Sequence, residues 1–207
     1  MVCVTVSVML GVLFAHHTKA DWFDAAVGDR LHASIGAHVT ALNFVVSVGD
    51  PVPVAVMTLL LVLGCLVARR WRGAILPAVA VPAASALTEI ILKPLIDRTR
   101  LGGLSFPSGH TTGITALAVC IVLLIIAPSR PGPAGRAFLG LAAGLTAAAV
   151  AVALVALGLH YCTDTVGAAA VSTAVVLATA LILDRIVARP ADVVSPSGHG
   201  ARLTSGT

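Results

Sequence analysis

Five stretches of this chain, residues 51–68, 73–92, 111–127, 137–159 and 165–183, are long, almost uncharged and dominated by Leu, Val, Ile and Ala. A helix needs about 20 mostly apolar residues to cross the hydrocarbon core of a bilayer, and these runs sit at that length. A shorter apolar run, residues 2–15, precedes them. At about 1.5 Å per residue it reaches roughly 21 Å, short of a core of about 30 Å. The expectation is an all-α, polytopic membrane helix bundle of six transmembrane helices, with five as the fallback count.

Composition agrees. Only 11% of residues are charged, against about 25% in a soluble domain, and the mean hydropathy is +1.02. Thirteen Lys and Arg against nine Asp and Glu give a net charge of +4, too sparse and scattered for a nucleic-acid surface. Cys3, Cys65, Cys120 and Cys162 lie in or beside apolar runs without metal-ligand spacing and read as small hydrophobes. Residues 1–187 form one membrane-embedded domain. Residues 188–207, rich in Pro, Ser, Gly and Thr, form a polar tail expected to be disordered. Between the first two spans, residues 16–50 mix Asp21, Trp22, Phe23, Asp24, Asp29 and Arg30 with small apolar residues, a pattern that suits an interfacial amphipathic helix.

The arginines orient the chain. Arg69, Arg70 and Arg72 share one connection, Arg130 and Arg136 another, and Arg185, Arg189 and Arg202 the C-terminal end. With alternating spans all eight fall on one side, which the positive-inside rule makes the cytoplasm. The opposite face then receives the segments 93–110 and 160–164, which carry the reactive side chains.

Three segments are expected on that outer face. Lys93, Arg98 and Arg100 bring positive charge to a membrane boundary, where Arg suits bidentate phosphate contacts. Pro107-Ser108-Gly109 leads directly into a helix, whose N-terminal N–H groups favour an anion and where glycine permits close approach. His110 stands at the edge of this cradle and could protonate a leaving oxygen. His160 and Asp164 are four apart, on one face if the segment is helical; a carboxylate on one imidazole nitrogen leaves the other free to attack. Each segment alone has a plainer reading: interfacial Lys and Arg snorkel, Glu89 pairs with Lys93, and Pro-Ser-Gly makes a turn and cap. Pro196-Ser197-Gly198-His199 repeats the tetrapeptide in the tail, on the wrong side, with no helix after it. The joint occurrence, in order, at span boundaries on one face, is what favours chemistry.

The pattern resembles the type 2 phosphatidic acid phosphatase superfamily, the lipid phosphate phosphatases. Its motifs are Lys, six residues, Arg-Pro; Pro-Ser-Gly-His; and Ser-Arg, five residues, His, three residues, Asp. The first is matched at Lys93 and Arg100, with Leu101 in place of the proline; the second fully at 107–110; the third at His160 and Asp164. The resemblance covers roughly residues 51–183. It implies His160 as nucleophile forming a phosphohistidine, Asp164 orienting it, His110 as general acid, and Lys93, Arg100, Ser108 and Gly109 on the phosphoryl oxygens. It implies no metal and no cofactor. The implied substrate is a lipid phosphate or pyrophosphate, such as a polyprenyl pyrophosphate or phosphatidate, met at the outer face of the cell membrane with the C-terminus in the cytoplasm.

One departure is chemical. The Ser-Arg of the third motif falls on Ala153 and Leu154, and no Lys or Arg lies between Ala137 and Asp184. A charge-assisted hydrogen bond contributes about 1.5–3 kcal/mol, so losing one that tightens in the transition state slows the reaction roughly 10- to 100-fold. Arg98, two residues from Arg100, is the candidate substitute. Three outcomes stay open: a phosphatase using Arg98, an enzyme with an unusual substrate or acceptor, and a lipid-phosphate-binding protein without turnover.

Overall fold

A computed structural model describes residues 1–126 and 132–188. Arg130, Arg189, Arg202, the second Pro-Ser-Gly-His and, beyond Ala188, the expected tail lie outside those residues. The described chain forms α1 (Val2–Phe14), α2 (Trp22–Ile35), α3 (Val39–Val48), α4 (Pro51–Val67) and α5 (Trp71–Ala86). A π-helical turn (Leu87–Leu92) leads into α6 (Lys93–Ile96). The hairpin β1 (Thr99–Arg100) and β2 (Gly103–Leu104) follows, and then α7 (Gly109–Ile126), α8 (Pro133–Ala156) and α9 (Cys162–Ala188).

Local chemistry explains several boundaries. Pro51 and Pro133 open α4 and α8, where a missing N–H costs no intrahelical bond. Pro94 cannot donate to the carbonyl four residues back; just upstream the register widens, and Lys93 N–H bonds to Thr88 O, five residues back. The widened turn carries Glu89, and such π-bulges cluster at functional sites.

Small residues make many of the innermost helix contacts, and many large apolar ones face outward. α7 packs against α5, α8 and α9; α1 lies on α9, and α2 and α3 lie on α8. Ala80, Ala84, Ala116, Ala156 and Ala168 are completely buried at these contacts, while Leu60, Phe138, Leu141 and Ile182 are exposed. This arrangement suits a lipid solvent, in which helices associate through close packing rather than by hiding apolar surface. The stretch Trp71–Ile96, α8 and α9 are each long and apolar enough to cross a membrane. The apolar helices α1 and α4, of 13 and 17 residues, and α7 are shorter. The chain is thus a helical membrane protein, with three helices among the described residues long and apolar enough to span, or four if the bent pair Trp22–Ile35 and Val39–Val48 counts as one. The four cysteines are free.

Residues 16–50 differ from the single interfacial helix expected. They form two helices, α2 and α3, bent by 118° at a break containing Gly36. α2 begins beside Arg98 and α3 ends beside His110, through contacts described below, so the bent pair runs across one end of the bundle. The link from α1 is stitched to the same end: His16 N–H bonds to Ile96 O at 2.9 Å and Thr99 N–H to His17 O at 3.0 Å.

Candidate active site

Direct bonds bring the three motif segments together at that end. Ser108 N–H donates to Asp164 O at 3.2 Å, joining the second segment to the third. Arg100 Nε donates to Gly158 O at 2.7 Å, joining the first to the third. The Glu89 carboxylate fills the space that a Cβ at Gly109 would take, with Lys93 Nζ beside it. Glu89 and Lys93 form the ion pair expected of them, 2.8 Å apart.

Asp164 lies in the first turn of α9, but His160 precedes that helix. The helical-face condition for the pair is therefore not met, and a loop brings the two together instead. His160 Nδ1 is 3.5 Å from Asp164 Oδ2 and, although buried, has no hydrogen-bond partner among the described residues. Asp164 Oδ2 already accepts the Tyr161 N–H at 3.0 Å.

Arg98 departs from the expected role of phosphate ligand. It is completely buried, and its guanidinium is sandwiched between the Phe14 and Tyr161 rings, 4.2 Å from each centroid. Nη1 donates to Asp164 Oδ1 at 2.7 Å and Thr163 Oγ1 at 2.6 Å; Nη2 donates to Asp24 Oδ2 at 2.7 Å. Asp24 also accepts the Thr163 N–H at 2.9 Å and the Thr163 hydroxyl at 2.6 Å. Nη1 is thus spent on Asp164 and Thr163 and Nη2 on Asp24, and Nε is buried with no partner among the described residues. Asp24 was missed in the sequence. Nothing in its spacing distinguishes it from Asp21, which caps α2 by accepting the Asp24 N–H, or from exposed Asp29.

Arg100 is better placed for an anion. Its guanidinium also stacks over the Tyr161 ring, 4.1 Å from the centroid, and its Nε bond to Gly158 O fixes the side chain beside the loop that carries His160. Ser108 is buried and acts as the N-cap of α7, its hydroxyl 3.4 Å from Thr111 N. The first-turn N–H groups at Gly109 and His110 have no intrahelical acceptor and point to the cradle side of α7. His110 Nε2 lies 2.9 Å from Asp50 Oδ1.

The two departures from the family pattern have local physical counterparts. Leu101 has φ of +50° and Gly102 +81°, the paired positive φ of a type I′ turn, joining β1 to β2. Proline, locked near −65°, cannot occupy position 101 of such a hairpin. Leu154 is completely buried in the hydrophobic core with Val150 and Val176.

These segments, in this order and geometry, define the protein's class. The sequence profile of the PAP2 superfamily matches residues 54–188, well over half of the chain, and the protein belongs to that superfamily. Its fold is similar to the crystal structure of the first transmembrane PAP2-type phosphatidylglycerolphosphate phosphatase from Bacillus subtilis. The TM-score is 0.72 at 19% identity, over 89% of this chain and 96% of that one. No curated protein matches it in sequence.

Proposed function

We propose that the protein is a metal-independent membrane phosphatase. In this reading it removes phosphate from a lipid phosphate or pyrophosphate through a phosphohistidine on His160. The observation that carries the reading is the clamp on Asp164: a carboxylate held by Arg98 and directed at His160 Nδ1, with Lys93, Arg100 and the α7 N-terminus around it. With Asp164 on Nδ1–H, the Nε2 lone pair is left to attack phosphorus. The bond from phosphorus to the lipid oxygen breaks, and His110 gives that oxygen a proton. Water then attacks the phosphohistidine, returns a proton to His110, and releases phosphate and His160. Lys93, Arg100 and the N–H groups at Gly109 and His110 stabilise the equatorial oxygens, where phosphoryl transfer gains most. Arg98 acts as a positioning residue rather than a ligand.

A lipid substrate follows from the location of the site at one end of an apolar bundle, where a tail can stay in the bilayer. Arg69, Arg70, Arg72, Arg136 and Arg185 belong to helix ends remote from the site; Arg70 Nη2 bonds to Leu124 O near the far end of α7. That asymmetry supports a site facing outward and a cytoplasmic C-terminus; the six spans of this reading are α1, α4, α5 with α6, α7, α8 and α9. Candidate lipids are polyprenyl pyrophosphate, polyprenyl phosphate, phosphatidate and phosphatidylglycerol phosphate. A phosphohistidine can also be intercepted by an alcohol, which would make the enzyme a phosphotransferase. A second reading, a lipid-phosphate binder without turnover, is favoured by one observation: the apolar core at Leu154 where the family places arginine.

The test is phosphate release from the four lipids by detergent-purified protein, with His160→Ala beside it and acid-quenched samples examined for radiolabel on histidine. Release and label that both vanish in the variant are expected. Folded protein that binds lipid phosphate yet never releases phosphate or acquires label would replace the phosphatase with the binder.

A further inference from the structure

We infer that Asp50 is the positioning residue for the general acid, so that the site contains two His–Asp pairs with separate tasks. The inference rests on the proposed role of His110. Asp50 occupies the N-cap position of α4, where Asp ordinarily turns its carboxylate back onto the N–H of the second or third helical residue. Here no such bond forms. The third helical residue is Pro53, which has no N–H, and the first is Pro51, which has none either. That leaves the Val52 N–H as the one capping donor, and the carboxylate instead reaches 60 residues along the chain to His110 Nε2, at 2.9 Å.

The approach is built into the backbone. Gly49 packs against His110 so closely that a Cβ at position 49 would lie 3.3 Å from His110 Cβ and 2.9 Å from Val150 Cγ1. Only glycine lets the α3–α4 corner come down on the first turn of α7. The corner is therefore shaped to deliver Asp50 to His110, and no other carboxylate among the described residues bonds to that ring.

The pair suits both halves of the reaction. When His110 is an imidazolium, Asp50 accepts the Nε2–H and balances the charge, leaving Nδ1–H to protonate the departing lipid oxygen. The proton leaves Nδ1, the electron pair of the broken phosphorus–oxygen bond takes it, and His110 becomes the neutral Nε2–H tautomer. In that tautomer Nδ1 is bare, so it can accept the proton of the attacking water in the second half. One carboxylate, holding one nitrogen throughout, prevents the ring from settling in the opposite tautomer, which would be an ineffective base. His160–Asp164 needs the same logic for a different purpose, freeing Nε2 for attack.

Leaving-group dependence separates this role from a structural one. A lipid alkoxide needs a proton to depart; p-nitrophenolate does not. Asp50→Asn and Asp50→Ser are assayed against a short-chain phosphatidate and against p-nitrophenyl phosphate, with His110→Gln as the reference and both changes combined. General acid catalysis contributes about 10²- to 10⁴-fold, so His110→Gln is expected to lose on that order with the alkyl phosphate and far less with the aryl one. The Asp50 variants are expected to lose about 10- to 100-fold with phosphatidate, less than about 3-fold with p-nitrophenyl phosphate, and little more when combined with His110→Gln. Asp50 is 46% exposed, so neither variant disturbs a packed core, and unchanged thermal unfolding is checked alongside. Equal losses on the two substrates, or none, while His110→Gln discriminates between them, would overturn the role of Asp50 and leave the general acid standing. If His110→Gln itself fails to discriminate, both fall.

Discussion

Asp24→Ala should destabilise the protein as a whole, although the residue lies 30 positions before the segment matched by the superfamily profile. Its side chain is fully buried and accepts three hydrogen bonds, one from the Arg98 guanidinium and two from Thr163. Breaking one arm of a buried ion pair costs about 3–5 kcal/mol. Asp164 remains to neutralise Arg98, which favours the lower end, about 3 kcal/mol. For a chain of this size each kcal/mol moves the melting temperature by roughly 2–4 °C, so a fall of about 6–12 °C is expected. Cys65 and Cys120 are buried, and a thiol-reactive fluorogenic dye reports their exposure as the protein unfolds in detergent. Asp29→Ala, an exposed site on the same helix, is the control and should stay within about 0.5 kcal/mol. The variant should also lose phosphatase turnover at temperatures where it remains folded, because Asp24 no longer anchors the Arg98 guanidinium whose Nη1 holds Asp164. A melting temperature within 2 °C of the parent, a shift of about 1 kcal/mol or less, would refute the claim that Asp24 anchors the site.

Three further outcomes follow. Gly109→Ala places a methyl group against the Glu89 carboxylate; because that side chain is half exposed and can swing away, folding should change by less than about 1 kcal/mol while kcat/KM falls roughly 5- to 30-fold, equivalent to about 1–2 kcal/mol, and adding Glu89→Ala should recover part of the loss. Leu101→Asn converts an exposed, positive-φ leucine into the Asn-Gly pair that a type I′ turn favours, which should raise stability by about 0.5–1 kcal/mol, visible in the same dye assay; a lower melting temperature would show that the hairpin is not the native turn. Leu154→Arg buries a cation in the apolar core, so it should lower expression and melting temperature rather than restore a family contact, and a gain in turnover at preserved stability would show that position 154 reaches the phosphate after all.

The bundle was legible because the apolar runs are long and their spacing repeats, and the motif segments because residue types and order are unusual together. Packing was not legible. Hydropathy marks Leu60 and Leu154 alike, yet the first is exposed and the second buried, because in lipid the sign of hydrophobicity no longer selects the inside. Arg98 and Arg100 show the same limit within the site. Two residues apart, with the same charge, one is walled in by Phe14, Tyr161 and two carboxylates, while the other stacks on Tyr161 and bonds to a loop carbonyl. The partners that separate them, Asp24 and Phe14, come from 74 and 84 residues away, contacts that no local pattern encodes.

The polar partners outside the motifs fall into a pattern that assigns work to the N-terminal quarter of the chain. Phe14 and Asp24 hold Arg98, and Arg98 holds the carboxylate behind His160; Asp50 holds His110. Both histidines are thus reached from helix ends that precede the second motif, and the bent pair α2–α3 spans the distance between the two attachment points. In lipid, where apolar contact between helices adds little specificity, such polar bonds, fully buried at Arg98, are the natural means of fixing one arrangement of helix ends over another. The bend at Gly36 then has a mechanical reason. A straight helix from Asp24 to Asp50 would be about 40 Å long at 1.5 Å per residue, too long to deliver carboxylates to two histidines at one mouth, and folding it by 118° brings both ends back over the same site.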